Sequence, residues 1–305
     1  MAILINETTQ FLIQGITGKQ GQLACQEMLK SGSTVVCGVT PGKGGQLVEG
    51  IPVYNSVSEA QQKHRIDATI IIVPPQFAKA AIIEAIENNI PLINIITENI
   101  PVHDFAYCLA LAKNKNITII GPTSAGIYSV GMSKCGLIAS GKAKIAFTPG
   151  TIGVISRSGG MSSETSLVLT QAGLGQSTVI SIGSDRLMGT GFQELVQEFE
   201  HDPGTQGIVL FGEIGGTAEE DLADYLLKRK KDDNAFPKPI VAFISGRFAA
   251  NIHNISLGHA GAIIEGTRGT REQKVKALKE SGVIIAEVHH HVGELMKTAL
   301  HQKSN

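Results

Sequence analysis

The sequence has no tryptophan, only 5% aromatic residues and only 17% charged residues. It has no apolar run long enough to span a bilayer and no signal peptide at its start, so we expect neither membrane insertion nor secretion. The formal net charge of -1 gives no electrostatic reason to expect nucleic acid or an anionic membrane as the main partner. The four cysteines have no CxxC spacing. We therefore expect reduced thiols and a cytoplasmic location, or the mitochondrial matrix in a eukaryote.

Glycine is abundant, with 35 residues in a chain of 305. Short runs rich in Val and Ile alternate with helical stretches, first over 9–120 and again over 152–300. This alternation predicts βαβ units and an α/β fold of two doubly wound domains. Between them the helical period is lost and Gly, Pro, Ser and Thr accumulate. We expect an N-terminal domain at 1–125, a connecting segment at 126–150 and a C-terminal domain at 151–305.

A glycine-rich loop, Gly15–Gly21, follows the first predicted strand and opens the first helix. Glycines let the backbone approach a phosphate, and the start of a helix favours an anion. Its spacing is GxxGxxG rather than GxGxxG, so a simple glycine-rich turn is the alternative interpretation. A second loop, Thr40–Gly45, carries Lys43 where a NAD enzyme usually has an acidic residue for the ribose. This lysine favours a phosphorylated ribose or a pyrophosphate over a nicotinamide cofactor.

Two strand ends in the second half carry candidate chemistry. Ser156–Ser162 joins a strand to a helix with serines and glycines, which predicts a second anion site, although a simple helix cap is the alternative. Phe211–Gly216 places Glu213 between glycines. A carboxylate there can orient a histidine by hydrogen bonding to one ring nitrogen, or it can be a solvated loop residue.

The most unusual histidine is His259, which lies between small residues in the sequence Gly258–Gly261. Glycines allow another group to approach the imidazole closely, and a neutral imidazole is a nucleophile near neutral pH. The pattern indicates a histidine that is covalently modified during turnover; an incidental histidine in a turn is the alternative. Three further histidines, His289–His291, point in different directions on a helix. We interpret them as surface residues and expect no metal site.

Seven motifs occur in one order: GITGKQG, TPGKGG, ITENIP, GPTSAG, SRSGG, GEIGG and GHAGAII. Together they resemble the α subunit of succinyl-CoA synthetase, also called succinate–CoA ligase, from about Ile3 to the last helix. The segment SRSGGMS also resembles ATP-citrate lyase. The resemblance implies a Rossmann-like CoA-binding domain followed by a flavodoxin-like ligase domain.

The resemblance also implies residue roles. His259 is the residue that becomes phosphorylated, and Glu213 orients it. The segment around the start of the helix at Gly160 binds the phosphate, through Ser156, Ser158, Gly159 and Gly160. The residues implied for CoA are Thr17, Gly18, Lys19, Gln20 and Lys43, with Ile96, Thr97 and Glu98 nearby.

A β subunit with an ATP-grasp fold is the implied partner, and it binds ATP or GTP with Mg²⁺. The implied reaction passes a phosphoryl group from the nucleotide to His259 and then to a small carboxylic acid. The CoA thiol attacks the acyl phosphate and releases phosphate. The resemblance further implies that these steps are reversible and belong to the tricarboxylic acid cycle.

The sequence departs from the family around the acid. The family usually has GPNCPG where this chain has GPTSAG, which changes Thr123 and Ser124, and a tyrosine where this chain has Ser163. We expect these three residues to contact the acid. Succinate is the expected acid, with a different acid such as citrate or malate as the alternative. A non-catalytic CoA-binding protein and a nicotinamide-dependent oxidoreductase are the competing interpretations from other classes.

Overall fold

Runs of Ile and Val form the first sheet, because β-branched side chains suit strands that are covered on both faces. The structure is a computed structural model that describes residues 2–247 and 269–304. The strands in this half are β1 (Gln10–Gln14), β2 (Thr34–Val39), β3 (Leu47–Val48), β4 (Ile51–Tyr54), β5 (Ala68–Ile71), β6 (Leu92–Ile95) and β7 (Thr118–Ile120). The helices are α1 (Lys19–Lys30), α2 (Val57–Gln61), α3 (Pro75–Glu87) and α4 (Val102–Asn114).

The first sheet has the order β3-β4-β2-β1-β5-β6-β7. Its strands are parallel except β3, which forms an antiparallel hairpin with β4. The chain runs outward from β1 to β2 and β4, and then returns to continue from β5 on the other side. Ligands bind at such a reversal, outside the carboxyl ends of the two central strands. The loops that follow β1 and β5 therefore occupy the expected ligand-binding edge.

The second sheet is also seven-stranded, with the order β14-β13-β12-β10-β11-β8-β9. Its five parallel strands, taken in chain order, have the flavodoxin-like order 2-1-3-4-5. The strands are β8 (Gly126–Ser129), β9 (Ser133–Gly136), β10 (Pro149–Ser156), β11 (Gln176–Ser181), β12 (Gly207–Gly212), β13 (Ile240–Ile244) and β14 (Ile284–Ile285). The helices are α5 (Gly159–Gln171), α6 (Phe192–His201), α7 (Ala218–Lys231), α8 (Arg271–Glu280) and α9 (Val292–Ser304). The predicted fold class, two doubly wound α/β halves, is confirmed.

The segment 126–150, expected as a connection, contains an antiparallel hairpin of the second sheet. Strand β8 pairs with β11, and β9 pairs with β8 at the sheet edge. The sequences GIYS and SKCG contain Gly, Ser and Lys instead of an apolar run. Their strand structure comes from pairing with β11, which local sequence does not reveal. A short 3-10 helix at Gly141–Ala146 then leads into β10.

One of the apolar core clusters is shared by the two halves. A single cluster of buried residues includes Cys25 and Met28 of α1 together with Ile127, Cys135 and Ile155 of the second sheet. Burial of this surface away from water stabilises the contact between the halves. Within the described ranges, no helix is long and apolar enough to cross a membrane.

Hydrogen bonds reinforce the contact between α1 and the hairpin. The Ser33 hydroxyl donates to the Lys134 carbonyl at 2.8 Å and accepts from the Lys134 amide at 2.7 Å. The Lys134 side chain is fully buried, with Nζ 3.8 Å from a Glu27 carboxylate oxygen. Burial lowers the pKa of Lys134 to about 8, although Glu27 opposes this shift. A buried lysine therefore lies where the first helix meets the second sheet.

Candidate active site

A cleft of about 1020 Å³ lies between the two halves, at the carboxyl edges of both sheets. The first half lines it with the start of α1, the β5–α3 loop and the β6–α4 loop. The segment Thr123–Ala125, which connects the two sheets, also lines it, and the second half contributes the start of α5 and Ser184 with Asp185. The volume is at the upper end of the range for small-molecule sites. Two helix N-termini, predicted from sequence as separate anion sites, therefore meet in one cavity.

The loop at the start of α1 is packed so tightly that two of its glycines have no room for a Cβ atom. Gly15 has φ +89°, and a Cβ atom there would lie 2.1 Å from the Ile72 carbonyl oxygen. A Cβ at Gly21 would lie 2.2 Å from the Gly15 carbonyl oxygen. Two of the three glycines are thus required by the loop's own packing. No side chain caps α1, and Gly18 and Lys19 line the cleft in exposed positions, so the start of the helix is available to an anion.

The second glycine loop lies beside the first. Thr17 Oγ1 donates to Thr40 Oγ1 at 3.1 Å, which joins the two loops. Asn55 Oδ1 accepts from the amides of Gly42 and Gly44, both at 3.0 Å, and holds the second loop in shape. Lys43 is exposed and does not line the cleft. Its charge therefore lies beyond the cleft, on the side of the Thr17 contact.

Of the three residues that follow β6, one holds a neighbouring loop in place through its hydroxyl and the other two are available to a ligand. The Thr97 hydroxyl donates to the Val73 carbonyl at 2.8 Å and accepts from the Val73 amide at 3.3 Å. It thereby fixes the β5–α3 loop. Ile96 and Glu98 line the cleft beside it. The two neighbours can contact a ligand, whereas the Thr97 hydroxyl is already engaged.

The GPTSAG segment crosses between the sheets and forms one wall of the cleft. Thr123 has φ +59° and its hydroxyl donates to Asp185 Oδ2 at 3.3 Å. Ser124 is buried, and its hydroxyl donates to the Ser181 carbonyl at 2.6 Å and accepts from the Gly126 amide at 2.9 Å. Thr123 with Asp185 forms the polar surface of this wall, while Ser124 connects the segment to the second sheet.

The start of α5 is held by serine hydroxyls. Ser158 is the N-cap and its Oγ accepts from the Met161 amide at 3.4 Å. Buried Ser156 Oγ accepts from the Ser158 amide at 3.1 Å and donates to the Ser158 carbonyl at 2.7 Å. Ser158, Gly159 and Gly160 line the cleft, but Ser156 lies beneath them. Ser163 is one turn further along α5, half-buried, and does not line the cleft.

The Glu213 loop adjoins the Ser156 loop, because β10 and β12 are neighbours in the sheet. The Arg157 side chain spans the gap: Nη1 donates to the Gly215 carbonyl at 3.2 Å and Nη2 to the Asp185 carbonyl at 3.3 Å. Arg157 Nε is buried and has no hydrogen-bond partner within the described ranges. Glu213 is also buried. The predicted catalytic residue His259 lies outside the described residues.

Comparisons with known proteins follow the same division into halves. The CoA binding domain family matches residues 6–99, and the CoA-ligase family matches residues 155–298. The succinate–CoA ligase [ADP-forming] subunit alpha of Methanothermobacter thermautotrophicus is 46% identical over 93% of this chain and 92% of its own length. The chain belongs to the family of CoA-ligase α subunits. It is therefore an acid–CoA ligase chain, and the predicted resemblance is confirmed.

Other relatives show that the acid varies in this family of CoA-ligase α subunits. A subunit of an ADP-forming sulfoacetate–CoA ligase from Acholeplasma sp. is 38% identical, over 97% of this chain and 98% of its own length. Near-complete coverage is thus compatible with different acids. The family resemblance alone does not select succinate.

A solved structure shows the same fold in a longer protein. The ATP citrate lyase of Methanosaeta concilii, in complex with (3S)-citryl-CoA, has a TM-score of 0.88 and 22% identity. The match covers 98% of this chain and 51% of that one, so the chain spans about half the length of the lyase. At this identity the likeness establishes a shared fold.

Sequence reasoning missed residues whose role depends on tertiary contacts. Asp185 and Arg157 connect the walls of the cleft, and Lys274 with Glu219 supports the Glu213 loop. The arginine was visible within SRSG, but nothing in the sequence marked the other three. Isolated charged residues of this kind are ordinary surface residues unless the fold buries them.

The described residues contain no group of three or more His, Cys, Asp or Glu side chains placed to bind a metal. The histidine run differs partly from the surface position expected. His290 and His291 are exposed, but His289 is half-buried, with Nε2 3.0 Å from Thr165 Oγ1. Burial lowers the pKa of His289. Its ring packs edge-on against Phe211 and Phe243, which gives it a place in the core.

Proposed function

We propose that this chain is the α subunit of a succinate–CoA ligase that forms succinyl-CoA reversibly from succinate, CoA and ATP or GTP. One observation carries the proposal: a single cleft joins the start of α1 to the start of α5. A thioester-forming ligase must bring the thiol of a phosphorylated coenzyme to an acyl phosphate, so the coenzyme and the transferred phosphoryl group need sites on one cavity. Two helix N-termini, each favourable to an anion, meet that requirement.

The first half has groups suited to CoA. The Gly18–Gln20 start of α1 offers backbone amides and the Lys19 charge to phosphates, and Lys43 lies near the neighbouring Thr17–Thr40 contact. Ile96 and Glu98 extend the surface along the cleft. The cleft volume and this donor set fit a phosphorylated coenzyme. These residues bind and orient CoA, so that its thiol is directed toward the second half.

The second half has groups suited to phosphoryl transfer. In this proposal His259 accepts the phosphoryl group from the nucleotide, and Glu213 hydrogen bonds to its imidazole and selects the tautomer. The start of α5, at Ser158–Gly160, stabilises the phosphoryl charge. The acid then receives the phosphoryl group, and the CoA thiol displaces phosphate. The start of α5 thus stabilises the transferred group, while the start of α1 holds the phosphates of CoA.

The partner is an ATP-grasp β subunit that carries the nucleotide and Mg²⁺. This chain has no candidate metal cluster within its described ranges, and the proposal assigns the metal to the partner. The buried, unpaired cysteines suit a cytoplasmic setting. We place the complex there, or in the mitochondrial matrix of a eukaryote.

The acid is the variable part of the proposal. Succinate is the acid in the name of the relative from Methanothermobacter, and sulfoacetate is the acid in the name of the one from Acholeplasma. Thr123, whose hydroxyl donates to Asp185, lies in the GPTSAG wall of the cleft, where the family usually has GPNCPG. A citrate, malate or sulfoacetate ligase is the alternative. Ser163, one turn along α5, is a second position at which the sequence departs from the family, although its side chain does not line the cleft.

The test uses the chain co-purified with its ATP-grasp partner. Incubation with γ-labelled ATP should place an acid-labile, base-stable label on this chain. The label should be lost in His259→Asn and its formation should slow by about 10²-fold or more in Glu213→Gln. A chain that never takes up label, with both subunits folded, would identify a non-catalytic CoA-binding protein.

The same complex settles the acid. CoA-ester formation is measured with succinate, sulfoacetate, citrate and malate at equal concentrations. We expect succinate to give the highest kcat/KM. Turnover of another acid without turnover of succinate contradicts the succinate proposal while leaving the phosphohistidine intact.

A further inference from the structure

A fully buried ion pair lies directly beneath the Glu213 loop. Lys274 of α8 and Glu219 of α7 both have 0% side-chain exposure, with Nζ 2.5 Å from Glu219 Oε2. Lys274 Nζ also donates to the carbonyls of Glu213 and Gly215, each at 2.7 Å. The three ammonium hydrogens thus have three acceptors, two of which belong to the loop.

The Glu219 carboxylate binds the same loop through the backbone amide of Glu213. Glu219 Oε1 accepts from the Glu213 amide at 3.0 Å. The amide and the carbonyl of Glu213 are therefore both held by the pair. The carboxylate also lies close to the preceding strand: a Cβ on Gly212 would lie 2.6 Å from Glu219 Oε1. A side chain at position 212 would push this carboxylate away from the loop.

Stability alone does not account for such a pair. In many proteins, a buried ion pair is no more stabilising than a well-packed apolar pair of similar volume, because taking two charges out of water costs free energy. The Lys274 ammonium and the Glu219 carboxylate take part in four hydrogen bonds here. One joins the two side chains, and the other three join them to backbone groups of residues 213–215. The charges are directed at one short loop, in which Gly215 and Gly216 have φ of +85° and +63°. Glycines restrict the backbone little, so the loop depends on bonds from outside it: those of the pair, that of Arg157 to the Gly215 carbonyl and that of the Gly215 amide to the Gly269 carbonyl.

We infer that Lys274 and Glu219 are positioning residues for phosphoryl transfer, which hold the backbone of Glu213 on both sides so that its carboxylate keeps one place. The inference rests on the proposed role of Glu213 toward His259. A misplacement of about 1 Å in a catalytic group can slow a reaction by about 10²-fold. The pair acts through Glu213 and does not line the cleft.

The test is a comparison of phosphoenzyme formation in the two-subunit complex. Lys274→Met/Glu219→Gln removes both charges together and leaves no unpaired buried charge. We expect its single-turnover labelling rate with γ-labelled ATP to fall about 10- to 100-fold. The Kd for CoA, which depends on the first half, should stay within about twofold, because the two sites use separate elements. Lys279→Met, on the exposed face of the same helix, is the matched control and should label at the unmodified rate.

The positioning role makes a second prediction that a general loss of stability does not. In a Glu213→Gln background, the double substitution should slow labelling by no more than about a further twofold, since the group being positioned is gone. Equal slowing in both backgrounds contradicts the inference, as does a labelling rate within about threefold of the unmodified complex. Should the double variant not fold, Glu219→Gln alone is compared in the two backgrounds. It should slow labelling at least about threefold only where Glu213 is present, and equal effects again overturn the inference.

These outcomes are separable from failure of the proposed function. Label that persists in His259→Asn contradicts the proposed phosphohistidine before the pair is considered. Label that requires both His259 and Glu213, but is indifferent to the pair, contradicts the positioning role alone.

Discussion

The two helix starts that meet in the cleft are built by opposite means. The α1 loop is defined by missing side chains, since Gly15 and Gly21 approach carbonyl oxygens more closely than any Cβ allows. The α5 loop is defined by hydrogen bonds between the Ser156 and Ser158 hydroxyls and neighbouring backbone amides and carbonyls. One added side-chain atom is enough to create a steric clash, whereas removing one hydroxyl removes only part of a hydrogen-bond network. We therefore expect one added Cβ atom to disrupt the first loop, whereas the second loop should tolerate the loss of one serine hydroxyl.

The largest effect is expected from Gly15→Ala. The new Cβ atom meets the Ile72 carbonyl oxygen, and the residue must also keep a positive φ. Overpacking and left-handed strain together should lower the free energy of unfolding by about 3–5 kcal/mol, measured by urea denaturation. Gly32→Ala is the matched control, because Gly32 has φ +80° with open space around it. It should cost only about 1 kcal/mol; equal losses at both sites would mean that packing does not define the α1 loop.

An intermediate effect concerns the contact that holds α1 against the second sheet. The pKa of Lys134 in the folded protein is about 8, below the ordinary lysine value, so between these values the unfolded chain binds more protons. Stability should therefore rise from about pH 8 to pH 10, by up to about 2–3 kcal/mol relative to Lys134→Met. The difference between the two proteins is the quantity to measure, because the buried cysteines, with pKa values raised by burial, lower stability over the same range.

The control for this prediction is Lys30→Met. Lys30 pairs with the same Glu27 but is 66% exposed. Lys30→Met should alter the pH dependence of stability much less than Lys134→Met does, because Lys30 makes the smallest of the contributions to the lowered pKa of Lys134. If the stability of Lys134→Met had the same pH profile as that of the unmodified protein, the buried Lys134 ammonium would not be the source of the rise in stability above pH 8.

The smallest effect is expected from Ser158→Ala, at the start of α5. Loss of one cap hydrogen bond should lower the free energy of unfolding by about 1 kcal/mol or less. Ser56→Ala, which removes the comparable cap of α2, should cost a similar amount. Only Ser158→Ala should also slow phosphoenzyme formation, because Ser158 lines the cleft. Equal labelling rates in the two variants would remove Ser158 from the phosphate site.

The fold could be predicted from sequence wherever local pattern and tertiary environment agree. Phe192–His201 and Ile240–Ile244 are strongly periodic or continuously apolar, and both elements have the bounds that their patterns indicate. The β3–β4 and β8–β9 hairpins were missed. Their strands are two to four residues long, and they gain strand structure from their partners more than from local preference.

The site shows the same limit. Motifs at strand ends located Gly18, Lys19, Glu98 and Ser158 in the cleft, because a parallel sheet brings its carboxyl ends to one edge. Ser163 and Lys43 do not line it, since a motif gives the order of residues but not the direction of each side chain. Lys274 is 61 residues away from the loop that it supports. No local pattern connects such positions, and only the packing of α8 beside α7 brings them together.

The shared core has a consequence for how the protein melts. Ile127 and Ile155 of the second sheet pack in one cluster with α1, and the Ser129 hydroxyl donates to the Ile5 carbonyl at 2.7 Å. Neither half can detach without exposing apolar surface of both. The chain should therefore give a single calorimetric transition, with the calorimetric enthalpy equal to the van't Hoff enthalpy. Either half expressed without the other should be prone to aggregate.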